Sequence, residues 1–289
     1  MAVRPKSRRD TVATPANRQR FNKMQYVLTK GSTMKDAAVG LIGAGQLARA
    51  LARGWSRPIV CTDAGSGRAA ALAAEMGGTT APDNRTLAAA VDVVVLCHKP
   101  AQLATVAGEI DGTARLVVSV LSGITQGQLG EAYRRSPVVR VAANLAVEVR
   151  RGVVCLPATA EPDRHYDSVA ELFADLGMVV RVAEDRFPAV IATSGVGPAY
   201  YALFAEAQVD AAIRAGLPQD LAARLVTETM RGAAELLASR GHDTLSLRRA
   251  VASPAGPTAR GLAELEAHGL RRAVLAATES VMSGGRPTT

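Results

Sequence analysis

Residues Gly40 to Ala48 read Gly-Leu-Ile-Gly-Ala-Gly-Gln-Leu-Ala, and Asp63 follows twenty residues after Gly43. These residue types at this spacing suit the binding of a dinucleotide. Gly43 makes a tight turn from strand into helix, and Gly45 lets backbone approach a pyrophosphate. Ala48, in the third small position, lets helix and strand pack closely. Gln46 and Leu47 open the helix, where backbone N–H groups and the helix dipole face negative charge. Asp63 then stands where a carboxylate can accept a ribose hydroxyl. The glycine triplet alone is weak evidence, so its flanks matter.

Those flanks fit. Ala37–Ile42 reads as a buried strand, Gln46–Trp55 as a helix and Ile59–Thr62 as the next strand. Further strands are expected at Val93–Cys97, Leu116–Leu121, Val138–Val141, Val153–Leu156 and Val179–Val182. Helices are expected at Arg68–Met76, Arg85–Val91, Gln102–Glu109 and Arg164–Leu176. Continuous Val/Leu runs without alternation suit a parallel sheet covered on both faces. The fold class is therefore α/β, an N-terminal Rossmann-type doubly wound domain over 36–184.

After Phe187 the pattern changes to Ala-rich helix. A helix from Pro198 to Ala215 is apolar on most faces, and Gly216 and Pro218 separate it from another over Gln219–Ser239. Such helices must be covered. Residues 185–289 are thus expected to form an all-α domain for substrate and dimerisation, in a homodimer or larger homo-oligomer.

The formal charge of +8 is concentrated in the first 35 residues, which hold nine Lys/Arg and one acidic residue. The remainder balances at 25 basic and 25 acidic residues. Residues 1–35 read as a basic disordered extension, and a nucleic-acid partner is excluded for want of a basic face with aromatics. No charge-free apolar run reaches about eighteen residues, so no membrane partner is expected. Cys61, Cys97 and Cys155 show no metal-ligand spacing; they read as buried small hydrophobes in a reducing, cytoplasmic compartment.

Four further segments stand out: Leu96-Cys97-His98-Lys99-Pro100; Val118 to Thr125; Ser194-Gly195-Val196-Gly197-Pro198-Ala199-Tyr200; and Ser253-Pro254-Ala255-Gly256-Pro257-Thr258 with the run Gly261 to Glu266. In this order and at these spacings they resemble pyrroline-5-carboxylate reductase, the last enzyme of proline synthesis, across residues 37–283. The resemblance implies NAD(P)H-dependent hydride transfer to the C=N carbon of a cyclic imine, most simply 1-pyrroline-5-carboxylate. It implies that Ser253 and Gly256 bind the substrate carboxylate, often with a partner subunit contributing to the site. By the same resemblance Thr258 hydrogen-bonds the imine nitrogen as the catalytic hydroxyl. Read from the residues alone, Thr258 also suits a helix N-cap, because Ala259 onward looks helical. Lys99 and Asn144 are implied near the cofactor.

The chain departs from the family pattern in three places. Around Asn144 the usual Arg-x-Met-Pro-Asn-Thr-Pro-Ala has lost both prolines, the Met and the Thr, keeping Arg140 and Asn144. In the substrate loop Ala255 replaces a glycine, and Pro257 removes an N–H, a loss worth on the order of 1.5–3 kcal/mol toward a charged group. Asp63-Ala64-Gly65 stands where the family often has Asn-Arg-Ser; the carboxylate favours NADH, whereas the resemblance, with Ser66 and Arg68 near, favours NADPH. His98 replaces a usually apolar residue and reads either as an acid or base facing the crevice or as a plain loop histidine. Two alternatives stay open at this point: a diverged paralogue acting on another cyclic imine, and a catalytically silent dinucleotide-binding dimer.

Overall fold

The computed structural model describes residues 34–283. The expected basic extension therefore lies outside the described residues, apart from Met34 and Lys35. The continuous apolar runs become strands β1 (Val39–Ile42), β2 (Val60–Thr62), β4 (Val93–Leu96), β5 (Val117–Ser119) and β6 (Val138–Arg140), with a short β3 (Thr79–Thr80) at one edge. All pair in parallel, in the order β3-β2-β1-β4-β5-β6. The chain winds outward from β1 in both directions, so a crevice opens between the carboxyl ends of β1 and β4.

Helices α1 (Gln46–Trp55), α2 (Arg68–Glu75), α3 (Asn84–Ala90), α4 (Leu103–Ile110) and α5 (Gln126–Ala132) join these strands. They cover both faces of the sheet, which is why β1, β4 and β5 are buried at every residue. Two separate apolar cores result: Leu41, Leu51, Val95 and Val118 meet on one face, Leu87, Leu96, Ile110 and Val117 on the other. α5 was not expected from apolar periodicity. Its signal is a capping box instead: the Gln128 N–H donates to Thr125 Oγ1 while the Thr125 N–H donates to Gln128 Oε1.

The expectation of one continuous parallel sheet is corrected. β7 (Ala142–Ala143), β8 (Gly152–Pro157) and β9 (Gly177–Val182) form a second, three-stranded sheet, in which β7 and β8 are antiparallel and β8 and β9 parallel. After β6 the chain reverses through a tight helical turn at Leu145–Val149, so β8 returns along β7 instead of extending the first sheet. Helix α6 (Arg164–Ala174) makes the crossover to β9.

Beyond β9 the described residues are helical: α7 (Phe187–Val190) runs into a widened turn at Ile191–Gly195, then come α8 (Gly197–Arg214), α9 (Gln219–Ser239), α10 (Thr244–Val251), α11 (Pro257–Ala267) and α12 (Leu270–Met282). α8 packs on α9, and α12 packs against the Phe187–Gly195 segment. Much apolar surface stays uncovered, with Leu203 66% and Leu275 64% exposed beside Tyr201, Leu221, Leu225 and Val274. A surface this apolar marks an interface.

Candidate functional site

A cleft of about 1200 Å³ occupies the carboxyl ends of β1, β2, β4 and β5. Gly43, Gly45, Gln46, Leu47, Asp63 and Lys99 all line it, so six of the expected cofactor residues come together. Gly43 has φ +97°, and a Cβ there would sit 2.7 Å from the Cys97 carbonyl and 2.8 Å from the His98 nitrogen. Only glycine permits that turn and that approach. A Cβ on Gly45 would meet nothing within 4 Å, so the cleft is open where phosphate must pass.

Gly45 is the N-cap of α1, and no side chain caps this end. The first-turn amides, including those of Gln46 and Leu47, therefore lack intrahelical acceptors. They point positive charge into the cleft. A pyrophosphate fits these groups, so the chain's own backbone suits a dinucleotide.

Asp63 is more engaged than its position suggested. Its carboxylate accepts from the Gly65 N–H at 2.9 Å, the Ser66 hydroxyl at 2.7 Å and the Ala69 N–H at 2.9 Å. These bonds, Ser66 first, hold its carboxyl below the usual range. Ser66 Oγ in turn accepts from Arg68 Nε at 2.9 Å, and Arg68 lines the cleft. Asp63 thus shapes the loop that presents Ser66 and Arg68.

Residues not singled out as site residues complete the walls. Thr62 donates to Asn84 Oδ1 at 2.6 Å, and Asn84 Nδ2 donates to Glu109 at 2.5 Å, a chain linking β2, α3 and α4 across the cleft. Pro82-Asp83 was the available signal, because Asp83 caps α3 by accepting from the Thr86 N–H at 2.7 Å. Val120 to Ser122, expected to prolong a strand to Leu121, instead form a loop lining the cleft. Beneath the glycine turn, burial pushes the Cys97 thiol up to about 12. Among the described residues no cluster of His, Cys, Asp and Glu could hold a metal ion.

Asn144 lies outside the residues that line the cleft. It is buried, donates from Nδ2 to the Ser194 carbonyl at 3.1 Å and accepts the Val153 N–H at 3.2 Å. Arg140 is also buried: it pairs with Glu184 at 2.8 Å, and its guanidinium stacks 4.2 Å from the centre of the Phe187 ring. The surviving residues of the altered segment therefore fasten the two-sheet region to the helices.

The expected substrate residues form a compact loop at the start of α11. Gly256, not Thr258, is the N-cap; Pro257 takes the first helical position and Thr258 the second, which corrects the reading of Thr258 as a cap. A Cβ at Gly256 would lie 2.2 Å from Ser253 Oγ and 3.1 Å from the Ser253 carbonyl oxygen, so a side chain here would force the Ser253 hydroxyl to turn away. Ala255 holds φ +59°, a left-handed conformation that the usual glycine would adopt without strain. Its carbonyl accepts from Arg260 Nη1 at 2.8 Å. Among the described residues no hydrogen bond engages the Thr258 hydroxyl, which is half-buried. Ser253, Gly256 and Thr258 are not among the cleft-lining residues of their own chain.

Comparison with known proteins accounts for both halves. Residues 184–286 match the family described as pyrroline-5-carboxylate reductase dimerisation. Residues 38–123 match coenzyme F420-dependent NADP oxidoreductases. The pyrroline-5-carboxylate reductase of Corynebacterium melassecola is 34% identical, over 84% of this chain and 95% of that protein. The crystal structure of the Streptococcus pyogenes 1-pyrroline-5-carboxylate reductase superimposes with a TM-score of 0.76 at 25% identity, over 86% of this chain and 98% of that one. A pyrroline carboxylate reductase from Plasmodium falciparum, solved with NADP bound, gives the same TM-score and identity over 87% and 98%. With a full-length relative at this identity and the same fold from β1 to α12, the chain belongs to the pyrroline-5-carboxylate reductase family.

Proposed function

We propose that this protein reduces 1-pyrroline-5-carboxylate to L-proline with a reduced nicotinamide dinucleotide. The carrying observation is the uncapped N-terminus of α1 facing an open cleft beside Gly45, in a chain of this family. We assign the dinucleotide to residues 36–184 and the substrate loop and the subunit interface to 185–289. Gln46 and Leu47 receive the pyrophosphate on their N–H groups, and Lys99 borders the ribose.

The bound cofactor supplies the hydride. The chain's own residues bind, orient and exclude water. Ser253 and Gly256 hold the substrate carboxylate, and the Thr258 hydroxyl donates to the imine nitrogen, making the adjoining carbon electrophilic. A threonine hydroxyl is a poor acid, so its role is to position and relay the proton. Since this loop stands apart from the cleft-lining residues of its own chain, the complete site is built from the cleft of one protomer and the loop of another. The uncovered Leu203, Tyr201, Val274 and Leu275 support that homodimer, or a larger assembly built from it.

For the cofactor we infer that NADPH is accepted as well as NADH. Asp63 is occupied by its own loop, and Arg68, braced through Ser66, has its terminal nitrogens available for a 2′-phosphate. The three cysteines carry free thiols, in keeping with a cytoplasmic, reducing setting. No described helix is long and apolar enough to cross a membrane. Loss of reduced-nicotinamide absorbance on adding pyrroline-5-carboxylate, measured in parallel with NADH and NADPH, tests the reading. Binding of either cofactor without oxidation would refute it.

A further inference from the structure

The Ser253 to Gly256 turn holds a conformation that its own residues oppose. The Gly256 N–H donates to the Ser253 carbonyl at 3.0 Å across Pro254 and Ala255. With Ala255 at φ +59° this has the form of a type II turn, whose third residue needs a positive φ and is usually glycine. The β-carbon of an alanine works against that conformation. Arg260, one turn into α11, folds back so that Nη1 donates to the Ala255 carbonyl at 2.8 Å. The Ala255–Gly256 peptide is thereby gripped at both ends, its N–H by Ser253 and its carbonyl by Arg260. Among the described residues that carbonyl is the one hydrogen-bonding or ionic partner of the Arg260 side chain, so no carboxylate competes for it. A charged donor makes the stronger kind of hydrogen bond.

We propose that Arg260 is a positioning residue for the substrate: its guanidinium holds Ala255 in the left-handed conformation and so keeps Ser253, Gly256 and Thr258 in the arrangement that receives the imine acid. This rests on the reading of residues 253–258 as the substrate loop. The turn packs the Ser253 hydroxyl onto Gly256, so closely that a β-carbon on Gly256 would collide with Oγ. Were Ala255 to relax to negative φ, the peptide would turn over and carry the Ser253 hydroxyl away from Gly256 and the start of α11. Arg260 acts through the loop backbone and does not touch the reacting atoms. Its effect therefore depends on the residue at 255: a glycine there adopts the left-handed conformation unaided and needs no brace.

A double-mutant cycle between positions 255 and 260 of the full chain provides the test. KM and kcat for 1-pyrroline-5-carboxylate are measured at saturating cofactor, and cofactor affinity by fluorescence titration. Arg260→Ala should raise KM about fivefold and leave kcat within about twofold. Arg260→Lys, which keeps a charged donor on a long side chain, should restore most of the loss. Ala255→Gly alone should stay within about twofold of wild type, and Arg260→Ala added to it should change KM by less than about twofold. Cofactor affinity should be the same in every variant. A KM rise of equal size in both backgrounds overturns the proposal, by making Arg260 a direct contact of the substrate carboxylate. An unchanged KM in Arg260→Ala overturns it too, as does a loss in Arg260→Lys equal to that in Arg260→Ala. Thr258→Ala, run alongside, keeps this inference apart from the reading beneath it. If Thr258→Ala loses rate while Arg260→Ala matches wild type, the inference alone falls. If Thr258→Ala keeps full kcat/KM, the substrate-loop reading falls, and this inference with it.

Discussion

Asn144 Nδ2 donates to the Ser194 carbonyl at 3.1 Å, while its Oδ1 accepts the Val153 N–H at 3.2 Å. One buried amide thereby ties the β7–β8 reversal to the first residue of the Ser194 to Tyr200 segment. The bond sets where α8 begins relative to the cleft. Asn144→Asp should be worse than a simple loss, because a carboxylate cannot donate and would face the Ser194 carbonyl. We expect Asn144→Ala to destabilise by about 1–3 kcal/mol, and Asn144→Asp to lower kcat/KM as well as thermal stability. Unchanged stability in both variants would show that the amide carries no structural role.

Arg140 and Glu184 form the second tie. Arg140 is buried at 8% side-chain exposure and Glu184 is 34% exposed, and Glu184 also accepts the Gln126 N–H at 2.5 Å. Removing Arg140 leaves the partly buried Glu184 carboxylate with the Gln126 N–H but without its cation. Arg140→Met should cost about 3 kcal/mol, the lower end for breaking a buried pair because Glu184 keeps some contact with water. Denaturant unfolding measures this directly; a change below about 1 kcal/mol would mean the Phe187 stacking and the surrounding core hold the joint without the charge.

Cofactor choice turns on the Asp63–Ser66–Arg68 chain. Arg68→Ala should reduce affinity for NADPH about tenfold and barely change NADH. Asp63→Ala should weaken both cofactors, because it releases the Gly65, Ser66 and Ala69 bonds and with them the loop. The folded-state pKa of Asp63 is lowered, so its contribution is fully present above the unfolded carboxylate pKa and is lost only as pH falls through the lower folded value. Loop-dependent affinity should therefore stay flat from neutral pH down to the ordinary carboxylate range. Binding titrations over pH, with Asp63→Ala beside wild type, check both points; a selective gain of NADPH binding in Asp63→Ala would return Asp63 to the role of a ribose selector.

Thr258→Ala should lower turnover about tenfold or more and leave cofactor affinity alone, since the hydroxyl belongs to α11 and not to the cleft. Thr258→Ser keeps the hydroxyl and should retain most of the rate. Equal losses in Ala and Ser would assign the effect to the methyl group and its packing.

The glycine loop, Asp63 and every strand but β3 and β7 were legible because steric demand and burial leave marks in composition. Gly43 must be glycine against the Cys97 carbonyl, and strands covered on both faces must be apolar throughout. β3 was not legible, since its two exposed threonines carry no pattern. β7 is two alanines, and nothing in Ala142-Ala143 says that the chain will reverse and start a second sheet. Asp63 looked like a ribose contact because sequence gives position without partners; its three hydrogen bonds come from Gly65 and Ser66 in the following loop and Ala69 in the first turn of α2. The N-cap at Gly256 was hidden for a related reason. Pro257 can sit inside a helix only in its first turn, and that rule pointed to the start more reliably than the Thr258 hydroxyl did.

Isotope transfer shows whether this protein moves a hydride from the nicotinamide to the imine carbon. The purified protein would be incubated with pyrroline-5-carboxylate and NADPH deuterated at C4 of the nicotinamide, on either face in turn, and the product read by mass spectrometry and NMR. The expected product is L-proline carrying one deuterium at C5, the former imine carbon, from one face only. Proline that stays unlabelled whichever face carries the deuterium, or no proline while the cofactor binds, would contradict it.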